Sequence, residues 1–151
     1  MKKSAGVLPY KIDDNKVYVY LEKPGGPFWK DKDSWSICKG EYEKERPIAA
    51  AIREFKEESG FDVDEKDLVF LCSTKIRSNK IATIFVVNQD FDSTKMTSNT
   101  FMIEWPIGSG KMCEFPEMIE GKWFEIEEAK SKIFKGQIRV LDKLEEYLWN
   151  K

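Results

Sequence analysis

The sequence contains no histidine. That absence excludes Ser-His and Cys-His nucleophilic dyads and any imidazole acid–base step. There are three cysteines, Cys38, Cys72 and Cys113, and no C-x-x-C pair. An odd number of scattered thiols argues for reduced cysteines in a cytoplasmic protein rather than a disulfide frame. Without histidine a zinc site is not expected. No apolar run approaches the roughly 20 residues of a membrane span, and the basic start Met1-Lys2-Lys3 is not followed by the apolar segment of a secretion signal. An excess of positive charge is also missing: 25 Lys and Arg stand against 27 Asp and Glu, a net charge of −2. This balance argues against a nucleic-acid partner held by its phosphates and against a polybasic membrane surface. Carboxylates, lysines, tyrosines or a metal must therefore carry any chemistry.

The 151 residues suit one domain, 1–151, with a full core. Ser4 to Tyr10 and Lys16 to Glu22 read as a strand hairpin around the turn Asp13-Asp14-Asn15. Pro24-Gly25-Gly26-Pro27 breaks the second strand. Trp35 to Cys38 reads as a short strand feeding a Lys39-Gly40 loop. Leu68 to Ile76 and Ile81 to Val87 are two further strands, turning at Ser78-Asn79. Asp90 to Thr100 is polar and loop-like, Phe101 to Pro106 reads as an edge strand, and Gly108 to Lys111 as a loop leading to Glu114-Phe115-Pro116-Glu117. Trp123 to Ile126 is a last strand, before helices over Glu127 to Ile133 and Gln137 to Trp149. No repeat, low-complexity tract or linker interrupts this order. The pattern is that of an α/β (α+β) fold, a mixed sheet flanked by helices.

The central helix begins at Pro47, which suits the first helical position, and stops at Gly60, which suits the left-handed position after the last turn. At about 100° per residue, Ile48, Ala51, Ile52 and Phe55 share one face. Glu54, Glu57 and Glu58 gather on roughly the opposite one. Like charges three and four residues apart cost about 0.2–0.5 kcal/mol per pair. Either this is a solvated acidic face, with Arg53 pairing Glu57, or a hard cation such as Mg²⁺ belongs among the oxygens.

The whole string from Lys39 to Phe61 resembles the Nudix box. Arg53-Glu54-Phe55-Lys56-Glu57-Glu58-Ser59-Gly60-Phe61 matches its second half without a gap. Glu45 sits at the box Glu and Gly40 at the box Gly. Two departures stand out: the loop after Gly40 is one residue short, and Cys38 replaces the Pro that often precedes Lys-Gly. Gly25-Gly26-Pro27-Phe28-Trp29, Ser98 to Phe101, Glu104-Trp105-Pro106, Glu114 to Glu117 and Lys135-Gly136-Gln137 extend the likeness to a bacterial branch of nucleotide pyrophosphohydrolases.

The resemblance implies an α/β/α sandwich and a metal-dependent pyrophosphohydrolase. Such an enzyme cleaves a nucleoside diphosphate linked to a moiety X, with dinucleoside polyphosphates and nucleoside triphosphates as leading substrates. It implies Glu54, Glu57 and Glu58 as Mg²⁺ ligands, with Mn²⁺ a substitute, the Gly40 carbonyl as a fourth ligand, and Arg53 orienting the glutamates. Glu45 is read as a charge at the helix N-terminus. The general base falls on Glu117, with Glu114, Glu104 or a box glutamate as alternatives. Lys39 is either a phosphate contact or a surface lysine. Phe28, Trp29 and Trp105 either stack on a base or belong to the core. Lys75, Arg77, Lys80 and Arg139 are unranked phosphate contacts. The competing function is a nucleotide-sensing module without turnover, favoured only by the short loop. The expected partner is a small nucleotide, and the chain is a monomer or homodimer.

Overall fold

In the computed structural model, which describes residues 1–150, β1 (Lys2–Asp13) and β2 (Lys16–Pro24) form an antiparallel hairpin. Its two turn residues, Asp14 and Asn15, both have positive φ, the turn geometry that matches strand twist. β3 (Cys38–Glu41) pairs with residues 4–7 of β1, while β2 pairs with residues 10–13. One edge of β1 is thus shared by two strands. Gly6 permits this, because a Cβ there would overlap the Cys38 carbonyl.

β4 (Val69–Arg77) and β5 (Lys80–Asn88) pair antiparallel, and β5 runs parallel to β1. β6 (Thr100–Glu104) and β7 (Met112–Pro116) form a separate two-stranded hairpin. β8 (Met118–Glu125) closes the main sheet in the order β4-β5-β1-β2-β8, with β3 beside β1.

Strand alternation gives the sheet two apolar faces. α1 (Pro47–Ser59) covers one through Ala50, Ala51 and Phe55, against Ala5, Val7 and Tyr20. α2 (Ile126–Lys132) and α3 (Ile138–Trp149) cover the other, with Val140, Leu141 and Leu144 against Leu8, Leu21 and Phe124. This is the sandwich of mixed sheet and helices that the sequence predicts. No helix among the described residues is long and apolar enough to cross a membrane.

Three expectations are corrected. Trp35 and Ser36 make only isolated bridges, to Ile133 and Glu22. The strand begins at Cys38, so Lys39 and Gly40 lie on β3 rather than in a loop. Met112–Pro116 is a strand, held by β6 rather than by a core of its own. The last strand starts at Met118, five residues before Trp123. Its first half is polar, and pairing with β2 supplies the order. Gly121 there leaves room for the Tyr20 hydroxyl.

Candidate active site

The site forms where the last turns of α1 meet β3. Glu58 is buried, and its Oε1 accepts the Lys39 backbone N–H at 3.1 Å. Burial first, then the nearby Glu22 and Glu54 charges, push its carboxyl well above the usual carboxylate range. The three glutamates that share a helix face in the sequence are therefore not equivalent: Glu58 points into the protein, while the side chains of Glu54 and Glu57 are 12% and 38% exposed. Gly40 lies directly against Glu54, and a Cβ there would overlap the carboxylate. Burial also raises the pKa of Glu54.

Arg53 holds the outer part of the site. Its guanidinium donates to Glu45 at 2.7 and 2.9 Å, to Glu54 at 2.8 Å and to both oxygens of Glu57 at 3.3 Å. Glu45, one residue before the Arg46 N-cap of α1, is thus an Arg53 partner as well as a charge near the helix N-terminus.

Glu117 arrives from the turn between β7 and β8. The Asn99 N–H donates to the Glu57 carbonyl, the Glu117 N–H to Asn99, and the Gly25 N–H to Glu117, each at 2.8 Å. This relay ties Glu117 to the end of α1. Partial burial, then the charges of Glu54 and Glu57, raise its pKa. The other two acids considered as base stay on the hairpin. Glu114 is exposed and accepts the Thr100 hydroxyl at 2.8 Å. Glu104 accepts the N–H groups of Gly108 and Gly110 at 2.8 and 3.0 Å, which fixes the β6–β7 loop.

A cavity of about 350 Å³, with no carboxylate in its lining, is walled among others by Trp29, Lys39, Arg77, Phe134, Lys135 and Gln137. Lys39 and Met118, neighbours in sequence of Gly40 and Glu117, link it to the acidic site. Burial lowers the Lys39 pKa. Trp29 packs edge-on to Phe134 at 5.3 Å. Phe28 and Trp105 meet edge-on at 5.3 Å and join the hairpin to the Gly25–Gly26 loop, away from the cavity lining. Of the remaining cations, Arg77 lines the cavity, Lys80 pairs with Glu41 at 2.7 Å, Arg139 donates to Thr74 at 3.5 Å, and Lys75 is exposed on β4.

Two site residues escape the sequence reading. Glu22 is fully buried behind Glu58, and its Oε2 accepts the Tyr20 hydroxyl. Burial, opposed by that hydrogen bond, pushes its carboxyl up to about 8. The signal was parity: two residues after Tyr20, Glu22 faces the same way on β2. Gln137 is buried, and its Oε1 accepts the Ile37 N–H at 2.9 Å. No local pattern announces that contact, which spans 100 residues.

Residues 2–144 match the sequence model of the NUDIX domain family. The chain belongs to that family. No curated protein sequence matches the chain. Solved structures resemble this Nudix fold over nearly all of this chain. The C. elegans Ap4A hydrolase in a binary complex has a TM-score of 0.67 at 19% identity, covering 100% of both chains. The NUDIX domain of Shewanella oneidensis NrtR, complexed with ADP ribose, has a TM-score of 0.68 at 11% identity, covering 97% of this chain and 87% of that one. A mutT/nudix family protein from Listeria innocua has a TM-score of 0.61 at 13% identity, covering 99% and 94%. Family and fold are thus those of the Nudix hydrolases, enzymes acting on phosphorus-containing anhydrides.

Proposed function

We propose that the protein is a Mg²⁺-dependent pyrophosphohydrolase for a nucleoside diphosphate linked to a moiety X. Dinucleoside polyphosphates and nucleoside triphosphates are the first substrates to test. One observation carries this reading: Glu54, Glu57, Glu58 and Glu117 feel one another's charge, and Lys39, which acts on Glu58, also lines a cavity with Arg77 and Lys135. The sequence likeness to the C. elegans Ap4A hydrolase is too low to choose among substrates.

The donors suit a hard divalent cation. They are carboxylate oxygens, three of them with pKa values raised by burial and each other's charge. Gly40 leaves its backbone open against Glu54. Glu54, Glu57, Glu58 and the Gly40 carbonyl would hold the ion. When bound, it neutralises phosphate charge and acidifies a coordinated water. Arg53 bridges Glu54 and Glu57 through one guanidinium nitrogen and so orients both. Lys39 and Arg77 bind the non-bridging oxygens of the chain of phosphates. Trp29 offers a flat apolar surface to a base. Glu117, held at the rim by its own backbone relay, takes the proton of the attacking water.

The test is a panel of nucleotides with Mg²⁺ or Mn²⁺, read as phosphate after a coupled phosphatase. Glu57→Gln is expected to lower turnover by orders of magnitude while leaving the thermal midpoint unchanged or raised. Unaltered turnover in that variant removes the metal assignment. Tight nucleotide binding without turnover across the panel replaces this reading with a sensing module.

A further inference from the structure

Behind the carboxylates just described lies a second cluster of different chemistry. Cys38 Sγ and one oxygen each of Glu22 and Glu58 lie within 4.8 Å of one another. Among the described residues this is the compact set of ligating side chains, since Glu54 and Glu57 are drawn to Arg53. Glu22, Cys38 and Glu58 are 0%, 1% and 5% exposed. A hydroxyl satisfies one Glu22 oxygen, but Oε1, fully buried, has no donor stronger than the weakly donating Cys38 thiol beside it. Such an oxygen normally finds a donor or a cation.

We propose that Glu22, Cys38 and Glu58 form a site for a thiophilic divalent cation such as Zn²⁺. The site is separate in donor chemistry from the all-oxygen Mg²⁺ site. Two carboxylates and a thiolate select Zn²⁺ or Co²⁺ over Mg²⁺, because sulfur is a soft ligand and Mg²⁺ a hard ion. Bonds of about 2.0–2.3 Å place tetrahedral donors roughly 3.5 Å apart, so the cluster need contract by only about an ångström. The lack of histidine, which argued against zinc, is met here by carboxylates.

On binding, the Cys38 thiol proton and whatever protons the Glu22 and Glu58 carboxyls hold pass to solvent as the metal–sulfur and metal–oxygen bonds form. Two carboxylates and one thiolate then face two positive charges. Lys39, whose charge acts on both Glu58 and Cys38, balances the remainder. Glu58 belongs to both sites, so an ion held deep should withdraw it from Mg²⁺ and inhibit hydrolysis. That consequence alone rests on the proposed function; the binding does not.

The test is Co²⁺ titration of the metal-free protein in a non-thiol reductant. A near-ultraviolet thiolate-to-Co²⁺ band should grow to one equivalent and persist in excess Mg²⁺. The double variant Cys72→Ser/Cys113→Ser, whose sole thiol is Cys38, should keep the band, and Cys38→Ser should lose it. Glu22→Gln should weaken binding by about tenfold or more. No band in the unmodified protein, or its loss in the double variant, overturns the site. So does a band that survives Cys38→Ser. The double variant decides even where Cys38→Ser does not fold. Hydrolysis with Mg²⁺ alone but no band with Co²⁺ defeats this proposal alone, and a band with Co²⁺ but no hydrolysis when the metal-free protein receives Mg²⁺ alone defeats only the proposed function.

Discussion

Glu22 places a carboxyl where water cannot reach it, and pH should expose the consequence. Its folded pKa, about 8, lies far above the roughly 4.3 of an unfolded glutamate. Between those values the folded chain holds a proton that the unfolded chain has released. The associated stability is fully present below the unfolded value and is lost as pH rises through about 8, at about 1.4 kcal/mol per unit. In chelator, the thermal midpoint should therefore fall from pH 6 to pH 9, and Glu22→Gln should flatten that fall and melt higher than the parent at pH 9. Parallel curves for the two proteins would refute the assignment. Arg53 is the opposite case. Its side chain is 37% exposed, and exposed ion pairs contribute about 0–1 kcal/mol. Arg53→Ala should barely move the denaturation midpoint, yet lower kcat by about a hundredfold, because it releases Glu54 and Glu57 together. A loss confined to KM would place Arg53 on substrate instead.

At the scale of elements, α1 was legible because its signals are local. Pro47 and Gly60 mark its ends and its apolar spacing marks its inner face, and the helix runs from Pro47 to Ser59. The same wheel grouped Glu58 with Glu54 and Glu57, since it could not show that β3 packs against the helix end and draws Glu58 inward. β7 and the first half of β8 were illegible for a related reason. Their order comes from the strands they pair with, and their own residues are largely exposed. Glu117 was placed by its position before the last strand, but the relay through Asn99 that ties it to α1 has no sequence signature. The helix stop gives a direct test. Gly60 has φ +80, its N–H donates to Lys56 at 2.9 Å, and a Cβ there would strike the Thr97 hydroxyl. Gly60→Ala should cost about 1–3 kcal/mol, read as a lower urea midpoint with an unchanged slope. No change would mean that the cap relaxes freely.

Across the whole molecule, the site is built on one face of the sheet but braced from the other. Gln137, at the start of α3, accepts the Ile37 N–H and donates to the Ser36 hydroxyl at 3.1 Å. Ile37 leads straight into β3, which carries Cys38, Lys39 and Gly40. The helix layer opposite α1 thus fixes the strand against which Glu54 and Glu58 are set, and Gln137 also lines the cavity. Gln137→Ala leaves the Ile37 N–H unpaired, which costs about 1–3 kcal/mol. The damage should also reach the chemistry: with β3 free to shift, kcat/KM should fall well below the midpoint of unfolding. Val140→Ala is the control. It removes a comparable amount of stability, since Val140 is fully buried in the same core layer, while the Ile37 N–H keeps its Gln137 partner. Assayed at a temperature where both variants are folded, only Gln137→Ala should lose activity. Equal losses would mean that general loosening of the core is responsible, and equal retention would mean that β3 holds its place without the brace.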